Sequence, residues 1–412
     1  MTAIVKQDSA GVPNGWITAK IGEICNVVTG GTPSTQSPEF YGGDISWLKS
    51  GDIKGLYIFI TPEKLTQEGV KNSNAKIHPA GGVAIALSGR GQTRGRTVVI
   101  KKPMACSQSV AIMLPKDPLS PEFLHYSLAK KYLEIRNLTG DNDRSGLNLK
   151  LVSNIKIPLA PLPEQRRIAT IITSVDDAIQ RLRKATAETK RLKVGLMQEL
   201  MTKGIGHTEF KNDPDVGRVP KEWEISRLDK FAEISMGQSP SGDTYNREKQ
   251  GIPLINGPVE FGIDIPTPIQ WTDAPTKICK REDILFCVRG NTTARINIAD
   301  QPYCIGRGIA AIRGIDGISN TSFIRFAFTN RHDQIYQIAV GGGSTFPNIT
   351  SKQLGELKLA FPSIKEQGQI VIILSSIDRK LDLQRQRTAY YEKLKQGLMN
   401  DLLTGNRRVK VT

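Results

Sequence analysis

Two stretches of the chain carry apolar residues at alternating spacings of four and three, the heptad pattern of helices that pack along a narrow seam. No proline interrupts either stretch. The apolar seam positions are Ile168, Ile172, Val175, Ile179, Leu182, Leu196 and Leu200 in the first stretch and Ile370, Leu374, Ile377, Leu381, Leu398 and Leu402 in the second. At 1.5 Å per residue, the pattern predicts two helices, each about 60 Å long.

The middle of both seams is polar, with Thr186 and Thr388 at matching positions. Polar residues in a seam weaken its packing and fix its register. Because a whole globular segment separates the two helices, the pattern favours antiparallel pairing between them. Two unrelated amphipathic surface helices are the alternative that the pattern leaves open.

Outside the long helices, short strand-like runs alternate with glycine, proline and aspartate turns. VAIALSG, TVVIKK and SVAIML are such runs in the first half, and DILFCVRG and IGRGIAAIRG are such runs in the second. One helical patch is expected near residues 122–135 and another near 322–338. We therefore predict an α/β fold. Its parts are a mixed α/β domain at 1–160, a central helix at 161–205, a linker at 206–219, a second mixed α/β domain at 220–362, and a second helix with a tail at 363–412.

The two halves of the chain repeat one another. Pro13-Asn-Gly-Trp16 and Pro220-Lys-Glu-Trp223 begin the copies at an offset of 207 residues, and the long helices match without a gap at an offset of 202. Between these segments, GLNLKLVSNIKIPL aligns with FPNITSKQLGELKL, which sets Asn148 opposite Asn348. A repeat of this length predicts two homologous domains with pseudo-two-fold symmetry rather than a solenoid.

Net charge points to the kind of partner. The chain has 56 Lys and Arg against 40 Asp and Glu, a net charge of +16, which favours a polyanion such as nucleic acid. Residues 1–160, 161–205 and 363–412 carry +7, +4 and +5, whereas residues 206–362 are neutral. Net charge therefore indicates DNA contact for the first domain and the helices, and only local patches can indicate it for the second domain.

Several protein classes are disfavoured by composition. The five cysteines include no C-x-x-C pair and only four histidines are present, so neither a disulfide framework nor a metal site is expected. The first residues lack the apolar run of a secretion signal, and apolar stretches such as 168–175 are too short to span a bilayer. We therefore expect a cytoplasmic protein with no membrane partner.

The densest basic patch is GRGQTRGR at residues 89–96, where glycines permit a tight turn that projects several guanidinium groups. RGNTTAR at 289–295 repeats the pattern in the second half. Arginine bonds guanine, and glutamine or asparagine bonds adenine, through paired hydrogen bonds in the major groove. A solvated hairpin tip without a ligand is the alternative for each loop. The predicted DNA-binding residues are Arg90, Gln92, Thr93, Arg94, Arg96, Arg144, Lys150, Arg289, Asn291, Thr292, Arg295 and Arg307.

The sequence contains no recognised catalytic motif. It has no Gly-Lys pair and hence no Walker loop, no N-P-P or D-P-P tetrad of an amino-methyltransferase, and neither G-x-S-x-G nor H-E-x-x-H. Asp176 and Asp177 are interpreted as solvated charge on a helix face. These absences are good evidence against an ATPase and weak evidence against a carboxylate-based nuclease. No catalytic residue is predicted.

Three motifs carry a resemblance to a known family. They are P-x-x-W at the start of each half, PLPEQRRI at the start of the first long helix, and LKQGLMNDLLTG at residues 394–405. Together they resemble the specificity subunit of type I restriction-modification enzymes, over nearly the whole chain. The resemblance implies that each globular part is a target recognition domain that reads one half of a split, asymmetric site in double-stranded DNA. It also implies that the two helices form an antiparallel coiled coil that sets the spacing between the domains.

The same resemblance implies partner subunits. Modification subunits that methylate adenine dock on this frame, and restriction subunits join to translocate and cleave DNA. S-adenosylmethionine, ATP and Mg²⁺ are expected on those subunits, and no cofactor is expected on this chain. The second long helix starts with PSIKEQGQ and lacks the second proline and the arginine pair of the first, so unequal docking at the two ends is expected. The two domains share too little sequence to read the same half-site.

Two other classes of function stay open on the residues alone. A stand-alone nuclease or methyltransferase with an unrecognised active site would cut or modify DNA without partners. A scaffold whose basic helices bind acidic proteins would show no salt-sensitive binding to DNA.

Overall fold

The computed structural model describes residues 12–116, 119–139, 146–262, 265–341 and 347–410. The chain divides into two compact units, Met1–Arg183 with Gln386–Thr412, and Lys184–Arg385. Each unit therefore contains one globular domain and one half of each long helix. The unit boundaries cut across the helices, whereas the predicted domain boundaries at residues 160 and 205 separate the helices from the domains.

The described residues of the first unit form three sheets and five short α-helices. Its strands are β1 Ile17–Lys20, β2 Cys25–Thr29, β3 Tyr41–Leu48, β4 Tyr57–Ile58, β5 Lys64–Leu65, β6 Ile77–His78, β7 Val83–Ala86, β8 Thr97–Ile100, β9 Met104–Cys106, β10 Val110–Pro115 and β11 Lys156–Leu159. Its short helices are α1 Ile21–Ile24, α2 Gln67–Lys71, α3 Pro121–Lys130, α4 Tyr132–Asn137 and α5 Leu149–Asn154, and the long helix α6 spans Leu162–Lys203. The sheet orders are β2-β10-β7-β8-β4, β5-β3-β9-β6 and β1-β11.

The second unit repeats much of this plan. Its strands are β12 Phe210–Asp213, β13 Gly217–Pro220, β14 Glu224–Arg227, β15 Ala232–Met236, β16 Tyr245–Asn246, β17 Ile252–Ile255, β18 Gln270–Thr272, β19 Ile278–Cys279, β20 Ile284–Cys287, β21 Ile296–Ile298, β22 Tyr303–Ile305, β23 Ile309–Gly314 and β24 Lys358–Phe361. Its helices are α7 Thr321–Asn330, α8 His332–Val340 and α9 Ser351–Gly355, and the long helix α10 spans Ile364–Leu402.

The sheet topology confirms the internal duplication. The order β15-β23-β20-β21 matches β2-β10-β7-β8, and the order β17-β22-β19 matches β3-β9-β6. In each copy the pair at the centre of the second sheet, β3 with β9 or β17 with β22, is parallel. The buried runs of β7, β8 and β20 form the cores, as the strand-like sequence patterns predict. Each domain is mixed α/β.

Both domains anchor a long helix in the same way. Trp16 and Trp223 are each 2% exposed, and their indole N–H groups donate to Glu164 and Glu366 at 3.0 and 3.3 Å. The next residue of each helix is a buried glutamine that accepts a hydrogen bond from the backbone N–H that precedes α3 or α7. The Glu-Gln pair at the start of each long helix therefore fixes that helix on its own domain, although the sequences around the two pairs differ.

The two long helices are antiparallel in each unit, as predicted. In the first unit Ile168 and Ile172 pack in one cluster with Met399, Leu402 and Leu403. In the second unit Met197, Leu200 and Met201 pack with Ile370 and Leu374. Every predicted apolar seam position is buried or half-buried, so two unrelated surface helices are excluded. Heptad counting missed Met197, Met201, Met399 and Leu403, which are buried because each helix end contacts both the other helix and the domain.

The segment 206–219, which was predicted as a linker, contains regular secondary structure. Strands β12 and β13 pair as an antiparallel hairpin across it. The Asp213 carboxylate accepts from the backbone N–H groups of Asp215 and Val216 at 2.9 and 3.0 Å, and Gly217 adopts φ 87°. An aspartate that caps its own turn and a glycine with positive φ are turn signals that stabilise a hairpin as well as a linker.

Two further observations concern the classes set aside from the sequence. Within the described ranges, no helix is long and apolar enough to cross a membrane. Those same ranges contain no group of three or more His, Cys, Asp or Glu side chains that could hold a metal ion. The five cysteines are buried and unpaired, and burial raises the pKa of Cys25, Cys106 and Cys279 to about 12.

Candidate nucleic-acid interface

The two arginine-rich loops close equivalent hairpins. In the first domain the loop joins β7 to β8, and the N–H of Gly95 donates to Ala86 O at 2.9 Å. In the second domain the loop joins β20 to β21, and the N–H of Ala294 donates to Cys287 O at 2.9 Å. Gly95 and Ala294 both have positive φ, 84° and 69°. The shared hydrogen-bond register makes Arg96 the counterpart of Arg295, and the first loop is two residues longer.

The side chains of the first loop serve two different purposes. Arg90 is exposed, and no described residue contacts its guanidinium through a hydrogen bond or ion pair. Arg96 donates to the Gln92 carboxamide oxygen at 3.0 Å, so it holds a neighbour in place. Tyr132 donates to the backbone carbonyl of Gln92 at 2.8 Å, which braces the loop against α4. Arg94 is only 4% exposed, so its guanidinium is not presented at the surface.

The second loop shows the same division. Arg289 and Asn291 are exposed, and their side chains have no hydrogen-bonding partner among the residues that the structure describes. The Arg295 guanidinium donates to Pro258 O at 3.4 Å and Gly262 O at 3.2 Å. Arg295 therefore ties the loop to the segment after β17. Thr292 is half-buried, with its hydroxyl 3.5 Å from the Cys287 sulfur.

A second turn lies directly beside each loop. In the second domain this turn is 306–308, and the Val288 N–H donates to Gly308 O at 2.9 Å. In the first domain the turn is 107–109, and the Leu87 N–H donates to Ser109 O at the same distance. The tips of these turns are Arg307, which was predicted as a DNA-binding residue, and Gln108, which was not. Both tips are exposed.

A third segment completes each surface. Residues 49–52 follow β3, and residues 256–260 follow β17. A carboxylate closes each segment, since Asp52 accepts from Lys49 N at 3.0 Å and Glu260 accepts from Gly257 N at 3.2 Å. Burial raises the pKa of Glu260, against the opposing effect of the backbone N–H groups of Glu260 and Gly257. We name residues 49–52, 88–96 and 107–109 the first platform, and residues 256–260, 289–295 and 306–308 the second platform.

The remaining predicted site residues lie as follows. Lys150 is exposed on α5, Thr93 is half-buried, and Arg144 lies outside the described residues. Asn148 caps α5 by accepting from Leu151 N at 2.8 Å. Its counterpart is Thr350, which caps α9, and not Asn348, which pairs with Arg289. The sequence alignment of the two asparagines is therefore wrong by two residues, because a shared asparagine was matched in place of a shared capping role.

Gln108 is the functional candidate that sequence reasoning missed. No basic cluster or glycine pattern marks it, because it lies in the run Ser107-Gln108-Ser109 between two buried strands. The signal that could have found it is the repeat itself, since Cys106-Ser-Gln-Ser-Val110 matches Ile305-Gly-Arg-Gly-Ile309 in pattern. An exposed polar tip between two buried strands, in both copies, is the shared feature.

Comparisons with known proteins identify the family of the chain. The profile of a family described as the type I restriction modification DNA specificity domain matches residues 13–189 and 220–392. The chain is 30% identical over 423 residues to a putative type I restriction enzyme MjaX specificity subunit from Methanocaldococcus jannaschii, covering 98% of this chain and 96% of that protein. It is 24% identical to the type I restriction enzyme MjaIX specificity subunit of the same organism, covering 99% and 97%.

Two solved structures are similar to the chain as a whole. One comes from work on complex assembly and conformational transition of the type I R-M system, with 26% identity, a TM-score of 0.57 and coverage of 96% of this chain and 99% of that one. The other is a type I restriction-modification system S subunit from M. genitalium, with a TM-score of 0.65 and coverage of 96% and 97%. Its 15% identity supports the fold alone.

Proposed function

The chain belongs to the type I restriction-modification DNA specificity family as a specificity subunit, and from that premise we propose that its two globular domains read the two halves of a split, asymmetric DNA site. The observation that carries the proposal is the pair of platforms at equivalent places in the two domains. Their frameworks share one hydrogen-bond register, whereas their exposed side chains differ. Two domains with the same backbone framework and different exposed side chains are suited to bind two different half-sites.

The exposed side chains have the chemistry of base readout. The first platform presents Arg90 and Gln108, and the second presents Arg289, Asn291 and Arg307. Guanidinium and carboxamide groups form the paired hydrogen bonds that distinguish bases in the major groove. The bound arginines, Arg96 and Arg295, hold the platforms in shape. Side chains that contact bases from a rigid frame lose little conformational freedom on binding.

We propose that the antiparallel helices set the spacing between the half-sites, about one turn of DNA or 34 to 36 Å between their centres. Removing one heptad, residues 183–189, from α6 together with its counterpart, residues 385–391, from α10 keeps the seam in phase. Each helix shortens by about 10 Å. We expect the spacer to lose about three base pairs while both half-sites stay unchanged. A spacer of unchanged length would show that the helices do not set the distance between the half-sites.

Partner subunits are the second part of the proposal. We propose that modification subunits dock on the helices and restriction subunits join them, with S-adenosylmethionine, ATP and Mg²⁺ bound on those partners. Large apolar side chains on the helices are exposed in this chain, among them Val194 at 61%, Ile372 at 66% and Tyr390 at 65%. These side chains are our candidates for contact with a partner subunit, since contiguous apolar patches mark protein interfaces. In this proposal the chain itself recognises the DNA sequence and carries out no catalysis.

Mapping of adenine methylation in cells tests this function. The chain is expressed with a modification subunit from the same genome, and genomic DNA is read by single-molecule sequencing. We expect one split, asymmetric motif that disappears when this chain is deleted. A motif that persists without the chain would refute the addressing role. Cutting or methylation by the purified chain alone would favour a stand-alone enzyme instead.

A further inference from the structure

Gln108 and Arg307 occupy one position in the two domains. The N–H of Ser107 donates to Leu48 O, and the N–H of Gly306 donates to Ile255 O, both at 2.9 Å. On the other side of each tip, Ser109 O accepts from Leu87 N, and Gly308 O accepts from Val288 N, both at 2.9 Å. The two turns are therefore held at both ends by the same backbone contacts. A carboxamide stands in one domain where a guanidinium stands in the other.

Tight backbone packing makes the second turn rigid. A Cβ atom on Gly306 would lie 2.1 Å from the Asn256 carboxamide oxygen, and one on Gly308 would lie 2.5 Å from Asn256 O. A Cβ on Gly237 would lie 2.3 Å from Gly306 O. In the first domain a Cβ on Gly30 would lie 1.8 Å from Cys106 O. Both turns therefore pack closely against neighbouring backbone.

A hydroxyl group contacts the tip residue of each turn. Thr32 donates to the Gln108 carboxamide oxygen, and the Ser239 hydroxyl accepts from Arg307 N at 3.1 Å. Thr32 and Ser239 are counterparts in the repeat, at the offset of 207. With its oxygen held by Thr32, the Gln108 amide keeps its N–H₂ group and a second lone pair for a ligand. Among the described residues, the Arg307 guanidinium has no hydrogen-bonding partner.

Resting on the proposed function, we propose that the residue at this position reads one corresponding base pair in each half-site, with Gln108 specifying an A·T pair and Arg307 specifying a G·C pair. A carboxamide matches the donor and acceptor of adenine, and a guanidinium matches the two acceptors of guanine. Phosphate contacts would give affinity at these positions without any preference between bases. The proposal therefore predicts which base pair changes when the two side chains are exchanged.

The test exchanges the two side chains in the full chain, expressed with its modification subunit. Gln108→Arg is expected to change one A·T pair of one half-site to G·C, and Arg307→Gln is expected to change one G·C pair of the other half-site to A·T. We expect methylation of the original motif to fall about tenfold or more in each case. The other half-site serves as an internal control for folding. Gln67→Arg and Arg247→Gln are matched changes at exposed positions outside the platforms, and we expect them to leave the motif unchanged.

Alanine variants keep the proposal falsifiable if an exchange disturbs binding. Gln108→Ala and Arg307→Ala are each expected to relax one position of one half-site while the rest of the motif is retained. A motif unchanged in both variants would overturn the assignment, as would uniform loss of methylation on all sequences, which indicates a phosphate or structural role. In either case a motif that still depends on the chain leaves the proposed function standing. Absence of any chain-dependent motif in the wild type would refute the function itself.

Discussion

Asp176 of α6 and Lys395 of α10 form an ion pair of 2.7 Å. Their repeat counterparts at the offset of 202, Asp378 of α10 and Lys193 of α6, form the equivalent pair at 2.5 Å. Each pair lies within one unit. Asp176 also accepts a hydrogen bond from the Tyr126 hydroxyl at 2.8 Å, so the pair joins both long helices to α3. The gapless repeat of the helices thus preserves a specific electrostatic contact at each end of the pairing.

A double-mutant cycle should show that this pair contributes more than a surface ion pair. The Asp176 and Lys395 side chains are 17% and 28% exposed, whereas Arg183 and Glu392, which pair on the same helices, are 57% and 48% exposed. We expect a coupling of about 1 to 2 kcal/mol for Asp176→Asn with Lys395→Met. Arg183→Gln with Glu392→Gln should give about 0.5 kcal/mol or less. Urea unfolding of the four variants of each cycle measures both couplings, and equal values would contradict the difference in burial.

The positive φ of Ala294 predicts that glycine is tolerated at this position with little loss of stability. Left-handed backbone costs a residue with a Cβ about 1 to 2 kcal/mol, and glycine avoids this cost while losing more entropy on folding. Ala294 is 3% exposed, so its methyl group is buried, and losing that burial costs about 0.8 kcal/mol. We therefore expect Ala294→Gly to change stability by less than about 0.5 kcal/mol, because relief of the strain offsets the lost burial and the entropy of glycine.

Gly95→Ala is the matched reverse change in the other domain, where a Cβ meets only ordinary contacts at 3.5 Å or more. It should destabilise the chain by about 1 kcal/mol. Thermal unfolding checks both variants, and a loss of about 1 kcal/mol or more in Ala294→Gly would contradict the strain.

Alanine variants of Arg90 and Arg94 should have different effects, the first on DNA binding and the second on stability, although both residues were predicted to bind DNA. Arg90 is exposed, and Arg94 is 4% exposed. We expect Arg90→Ala to weaken specific DNA binding by about 1 to 3 kcal/mol and to change stability by less than about 0.5 kcal/mol. Arg94→Ala should lower stability first, because it removes a buried polar side chain. Competition binding and urea unfolding measure the two effects, and an equal loss of stability in both variants would be inconsistent with their different burial.

His125 predicts a loss of stability in mild acid. Burial lowers its pKa to about 4, and the nearby Lys395 charge acts in the same direction, against Asp176 and Glu122. In the unfolded chain, His125 therefore binds a proton near pH 6.5, whereas in the folded chain it stays neutral until the pH falls to about 4. This contribution to stability is complete above pH 6.5 and declines as the pH falls toward 4, by up to roughly 3 kcal/mol.

The variant His125→Gln should remove this decline, because glutamine can still bond the Thr97 hydroxyl, which lies 3.0 Å from the imidazole Nδ1. His332→Gln is the matched control, since its side chain is 48% exposed. Unfolding measured from pH 7 to pH 4 distinguishes the two. A wild-type decline that survives in His125→Gln would assign it to another group.

The sequence predicted those features that depend on local periodicity. The seams of α6 and α10 and the repeat of the two halves follow from residue spacing along the chain, and both are confirmed. Long-range contacts decided the rest. Gln108 was missed because strand pairing, and not sequence proximity, brings its turn beside Leu87.

Burial was the other quantity that local pattern could not supply. Arg94 and Arg96 look like Arg90 in the sequence, yet one is buried and the other bonds Gln92. Asp176 was interpreted as solvated charge, and this was wrong because Tyr126 and Lys395 approach it from two other elements.

The most direct test of the central claim, one domain for each half-site, is to disable the platforms separately and map adenine methylation. Arg90→Ala with Gln108→Ala alters the first platform, and Asn291→Ala with Arg307→Ala alters the second. We expect the first pair to relax one half of the motif and the second pair to relax only the other half. Loss of specificity in the same half with both pairs, or in both halves with either pair, would contradict the account.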